Sequence, residues 1–129
     1  MVIKMKLTSI LVVAAGGAAG AVLRYMIGLL PFRGDFPAAT LIVNLAGALA
    51  IGFIAGFTAS GKYNQTAVTF FKTGVCGGFT TFSTFSLEAF GLLDKGRTVM
   101  GAVYIVLSVA GCLLGVWLGI MLGKRLTGN

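Results

Sequence analysis

The chain is 129 residues long, 57% hydrophobic and 10% charged, with a formal charge of +7 and a mean hydropathy of +1.00. So little charge cannot coat a soluble domain of this size. The absence of histidine excludes histidine-based catalysis and zinc binding, and the cations lie singly or in pairs rather than in the patch a nucleic-acid binder needs.

Four stretches reach the roughly 20 apolar residues that a membrane helix requires. The first covers residues 7–30 and is followed by a loop with Pro31, Arg33, Gly34, Asp35 and Pro37. Lys4 and Lys6 ahead of an apolar run and AAGGAAGA have the look of a secretory signal, but the apolar pattern continues to Leu30, which is long for one. The second covers 38–59 and ends in Ser60, Gly61, Lys62, Tyr63 and Asn64. The third covers 66–93 and the fourth 98–122, with Asp94, Lys95, Gly96 and Arg97 between them. The expected fold is an all-α membrane protein, one four-helix transmembrane domain over residues 1–129. Small residues four apart recur, as in Gly16/Gly20, Gly52/Gly56, Gly74/Gly78 and the series Gly111, Gly115, Gly119, Gly123. Such spacing lets helices approach closely in lipid, either within one bundle or between subunits. Cys76 and Cys112 lie in apolar segments and read as small core residues of a reduced protein.

Lipid offers no hydrogen-bond partners, so each polar group within a span must face protein or a water-filled path. Arg24, near the end of the first span, either snorkels to the headgroups or sets a positive potential at a pore mouth. Asn44 either bonds a neighbouring helix or donates its amide to a passing anion. The third span carries GFTTFSTFSLEAF, residues 78–90. On a regular helix Phe79, Phe82 and Phe85 share one face, Thr80, Ser83 and Ser86 the next, and Thr81, Thr84 and Glu88 a third. Hydroxyls all round, two glycines before them and three β-branched threonines predict a break near residues 77–81 that frees backbone carbonyls. Phenylalanine edges carry the positive end of the ring quadrupole and can line an anion path, although core packing is the commoner use of such a stripe. In the fourth span Tyr104, Ser108 and Cys112 fall on one face.

GGAAGAVLRY (16–25), TLIVNLAG (40–47) and GVCGGFTTFSTFS (74–86) together resemble the signatures of the small fluoride channels, the CrcB/Fluc family. The likeness covers nearly the whole chain. It implies an antiparallel homodimer in the bacterial plasma membrane, with two separate fluoride pathways and a broken third helix. It places Asn44, Phe82 and Phe85 on the pore, with a polar track of Thr81, Thr84, Glu88, Tyr104 and Ser108, and Arg24 near the entrance. It also implies a structural sodium ion at the dimer centre on the carbonyls of Gly77 and Thr80. Cys112 and Val116 stand where further hydroxyls of that track are expected.

The implied function is passive fluoride exit: HF crosses lipid as a neutral acid and ionises inside, and a negative-inside potential drives the anion out. No G-x-x-x-x-G-K-[ST] nucleotide motif is present. A small proton-coupled multidrug or cation exporter of four spans is the alternative. It needs an embedded acid, and Glu88 near a span end is the available one. An assembly subunit built on glycine packing would leave the hydroxyls of 80–86 without a use.

With four spans, Lys4, Lys6, Lys62, Lys72, Lys124 and Arg125 share one side, and Arg24, Arg33, Lys95 and Arg97 the other. Arg24 and Lys72 lie inside helix ends and count weakly. So small a bias predicts insertion in both orientations. A reporter fused to the C-terminus is expected to give signal on both sides of the membrane. Signal from one side alone would remove dual insertion.

Overall fold

The computed structural model describes residues 7–128; Lys4 and Lys6, counted in the charge balance above, lie outside them. The chain forms α1 (Leu7–Gly28), α2 (Ala38–Phe57), α3 (Gln65–Val68), a π-helical stretch Thr69–Val75, α4 (Cys76–Phe79), α5 (Phe82–Asp94) and α6 (Thr98–Thr127). No strand occurs among the described residues. Three helices are long and apolar enough to cross a membrane: α1, α2 and α6. Residues 66–93, expected as a third span broken near 77–81, fall in four helical pieces: α3, the π-helical stretch and α4 run on without a gap, α5 follows after Thr80 and Thr81, and none reaches spanning length alone.

Local chemistry sets the boundaries. Asn64 caps α3, its side chain accepting from the Thr66 and Ala67 amides at 2.9 and 3.3 Å, and Thr81 caps α5 by accepting from Thr84 N–H. Gly61 and Gly96 turn the chain at φ +70° and +72°, values that side chains with a Cβ rarely adopt. In the π-helical stretch the hydrogen bonds widen by one residue, as in Cys76 N–H to Phe71 O. Nothing in the residue pattern of 69–75 announces this.

The break is narrower than expected. Only Thr80 (φ −81°, ψ 158°) and Thr81 (φ −150°, ψ 115°) leave the helix. Gly77 and Gly78 remain helical in α4. Gly78 is small for packing rather than for flexibility, since a Cβ there would lie 2.2 Å from the Gly17 carbonyl oxygen.

Glycine contacts organise the helices into two parallel pairs. Along α1, a Cβ at Gly16 would sit 2.5 Å from Phe70 O and one at Gly20 2.1 Å from Val75 O, so α1 lies directly on the π-helical stretch and α4. Along α2, Gly52 meets Val116 O and Gly56 meets Ile120 O, while Gly119 and Gly123 of α6 meet Leu49 O and Phe53 O, each at 2.3–2.4 Å for an added Cβ. The four-spaced glycines of α2 and α6 are therefore used between helices of one chain. A core of Phe85, Ala89, Leu92 and Tyr104, flanked by Phe36, Leu41, Met100 and Ile105, joins α5 to α6. Arg97 pairs with Asp35, tying the α5–α6 turn to the α1–α2 loop.

Because the obstacle at Gly20 is backbone, rotamer adjustment cannot relieve it. Gly20→Ala is expected to cost about 1–3 kcal/mol in denaturant unfolding of the purified protein. Gly28→Ala, where nothing lies within 4 Å of the added carbon, should be close to neutral. Equal stabilities for the two variants would show that this close approach does not hold α1 in place.

Candidate functional site

A chain that leaves the helix inside a membrane must find partners for its peptide groups. At Thr81 the partner is Asn44 of α2. The Asn44 amide nitrogen donates to Thr81 O at 3.0 Å, and Thr81 N–H donates to Asn44 Oδ1 at 2.8 Å. One carboxamide thus imitates a strand neighbour for one extended residue, with one of its two N–H groups left over. Thr80 Oγ1 bonds back to Cys76 O at 2.9 Å. Arg24 Nε donates to Gly78 O at 3.2 Å, placing a cation on the carbonyl end of α4, where the helix dipole favours it.

These bonds redirect donors that an unbroken helix would use. Thr81 N–H would serve the Gly77 carbonyl but goes to Asn44, and Thr84 N–H would serve Thr80 O but goes to Thr81 Oγ1 at 3.2 Å. The carbonyls of Gly77 and Thr80 thereby lose their helical donors.

The second constellation surrounds Glu88. Thr40 Oγ1 donates to Glu88 Oε1 at 2.9 Å and Tyr104 OH to Glu88 Oε2 at 2.7 Å, so each carboxylate oxygen receives one hydroxyl. Tyr104 is fully buried, with its ring against Phe36 (5.6 Å, near-perpendicular) and Phe85 (5.3 Å). Thr81 Oγ1 donates to Thr84 Oγ1 at 3.0 Å nearby.

Two concavities meet at the break. A groove of about 470 Å³ carries Arg24, Thr40, Thr81, Thr84 and Glu88 among its walls. A largely apolar cavity of about 440 Å³ is lined by residues that include Asn44, Thr81, Phe82, Phe85, Ser108 and Cys112. Thr81 borders both. The Ser108 hydroxyl, on a residue only 5% exposed, has no hydrogen-bond partner. Phe82 and Phe85 stand 5.6 Å apart at 48°. Phe85 is buried, whereas Phe82 is 78% exposed on the open side of the cavity.

Residues 11–120 match the family of CrcB-like proteins, described as Camphor Resistance (CrcB). The chain belongs to the CrcB family. It is similar to a protein of Ruminiclostridium cellulolyticum named fluoride-specific ion channel FluC, 44% identical over 125 residues that cover 94% of this chain and 96% of the relative. A FluC of Rhizobium meliloti is 48% identical over 122 residues, covering 91% and 97%. A FluC of Methylobacterium nodulans is 47% identical over 109 residues, covering 82% and 88%.

The CrcB chain gathers the residues singled out in its sequence, with changes in what some of them touch. Asn44, Thr81, Phe82, Phe85 and Ser108 share the cavity, and Thr84 and Glu88 share the groove with Arg24. Tyr104 is not in the groove wall but bonds Glu88, which is. The single face of Phe79, Phe82 and Phe85 does not form. The break separates Phe79 from the other two, and its ring lies beside Gly47 of α2 instead. Two participants escaped the sequence reading. Thr40 sits one turn before Asn44 inside the quoted TLIVNLAG stretch, so helical spacing could have found it. Phe36 lies in a loop and carried no signal.

Thr40 and Tyr104 serve one carboxylate, so their contributions should not add. In a double-mutant cycle of Thr40→Val and Tyr104→Phe, read by unfolding free energy, a coupling of about 0.5 kcal/mol or more is expected. Additivity within about 0.3 kcal/mol would mean that the two hydroxyls act separately.

Proposed function

We propose that this CrcB protein is a fluoride-selective channel, not an enzyme, through which fluoride leaves the cytoplasm passively. The single observation that carries the reading is the buried, unpartnered hydroxyl of Ser108, a residue in the wall of the cavity of Asn44, Phe82 and Phe85. A small hard anion needs donors at close range without a fixed charge to trap it. The spare N–H of Asn44 and the hydroxyls of Thr84 and Ser108 can offer this, while Thr81 gives its one proton to Thr84 Oγ1 and so orients that hydroxyl. The ring edges of Phe82 and Phe85 add positive potential while excluding water. Arg24 raises the potential of the groove, and the two hydroxyls on Glu88 offset its repulsion. The relatives' names supply the identity of the ion.

On this reading each chain crosses the bacterial plasma membrane four times, with residues 65–94 as the third, broken crossing. Two copies pair antiparallel to give two pathways. The open side of the cavity, where Phe82 is 78% and Leu113 68% exposed, supports pairing there. A sodium ion at the dimer centre fits the residues present. The carbonyls of Gly77 and Thr80 have had their helical donors redirected, and hard oxygen ligands suit that ion. When bound, it would supply positive charge between the two breaks, and Asn44 and Arg24 would hold the carbonyls in place around it.

The test is fluoride efflux from liposomes containing purified protein, with chloride as control. Fluoride efflux without chloride efflux and without a proton gradient is expected; a requirement for a proton gradient would favour an exporter. Asn44→Asp should abolish transport, because an ionised carboxylate has no N–H for fluoride or for Thr81 O. Phe82→Ile, at an exposed position that should not disturb folding, is expected to lower efflux while the protein still pairs as the wild type does. Wild-type rates in both folded variants would remove Asn44 and Phe82 from the pathway.

A further inference from the structure

The chain's three acids, Asp35, Glu88 and Asp94, lie in the α1–α2 loop and on α5. Asp35 is paired with Arg97 and Glu88 is held by Thr40 and Tyr104. The opposite end of the molecule is different. There α2 and α6 finish side by side, with Gly123 against Phe53 O and Phe57 N. Lys124 and Arg125 occupy the last turn of α6, Lys62 follows α2, and all three are exposed. No carboxylate faces them among the described residues.

An aromatic ladder leads to the same place. Phe53 stacks on Phe57 at 5.7 Å, and Phe57 meets Tyr63 at 4.9 Å. Tyr63, next to Lys62, thus ends a ring column that rises from the apolar part of α2. Leu122 and Leu126 are exposed beside the two α6 cations. Cations at a helix end also answer the dipole. That does not account for Lys62 and Tyr63, which lie outside any helix, converging on the same end.

We propose that this end, formed by Lys62, Tyr63, Lys124 and Arg125, binds the headgroup of an anionic phospholipid, with the acyl chains along Leu122 and Leu126. Arginine can clamp a phosphate in bidentate fashion and lysines add point charges. Tyrosine suits the boundary between tail and headgroup. With no acidic side chain at the site among the described residues, a zwitterionic headgroup brings its own cation against three others, so the net-negative phosphodiester is selected.

The experiment compares phosphatidylglycerol with phosphatidylcholine as competitors of a spin-labelled phospholipid for wild-type protein in bilayers of phosphatidylcholine. A preference of roughly tenfold for phosphatidylglycerol at low salt is expected, shrinking as salt rises. Lys62→Gln/Lys124→Gln/Arg125→Gln should lose it, and Arg33→Gln/Lys95→Gln at the other end should keep it. Equal competition by the two lipids in the wild type overturns the proposal, even if the triple variant fails to fold. So does an undiminished preference in the folded triple variant. Displacement of the bound lipid by millimolar inorganic phosphate would identify a free-phosphate site and equally overturn it.

Discussion

The two hydrogen bonds between the Asn44 carboxamide and the Thr81 peptide are the constraint on which the rest depends. An extended residue inside an apolar segment exposes a donor and an acceptor, and leaving either unmet in lipid costs several kcal/mol, on the order of a large part of a domain's stability. A single carboxamide answers both and can do so only if α2 stands at a fixed height beside the break. Gly47 permits this approach, since a Cβ there would lie 2.2 Å from Thr80 Cγ2. With Thr81 pinned, its hydroxyl is free to cap α5, and α5 in turn carries Phe85 and Glu88 to Tyr104.

Close backbone packing holds the other side of the break. α1 touches the π-helical stretch and α4 at carbonyls rather than side chains, through Gly16, Gly17 and Gly20. Arg24, one turn beyond Gly20, then reaches Gly78 O. The break is therefore gripped from two helices, α1 through Arg24 and α2 through Asn44. A segment held in this way can keep its carbonyls at defined positions, as an ion site requires and as a merely flexible glycine hinge would not allow.

The class of protein and the polar residues of the site were readable because both rest on composition and short-range pattern. Long apolar stretches, Asn44 in the second of them and a hydroxyl-rich string after two glycines each have a local physical meaning. What was not readable depends on distant partners. The break narrowed to Thr80–Thr81 because α1 packs on Gly78 and stabilises α4, a tertiary effect. The phenylalanine face failed because helical spacing was applied across residues that leave the helix. The π-helical stretch, Phe36 against Tyr104, and Arg24 on a carbonyl rather than in the headgroups likewise follow from neighbours far away in sequence.

The case for a second copy rests on polar atoms rather than on exposed area. In water, a face with Phe82 and Leu113 uncovered would by itself call for a partner. In lipid it does not, because acyl chains solvate such residues as well as protein does. Acyl chains cannot serve the Gly77 and Thr80 carbonyls, whose helical donors have gone elsewhere. Closing the cavity with an inverted copy would keep lipid from these groups while leaving a narrow lumen for an ion. Cys112 and Val116 in the cavity wall beyond Ser108 make this requirement sharper. Along that stretch α6 offers a thiol and an isopropyl group, so an anion passing there would need donors from water or from a second copy.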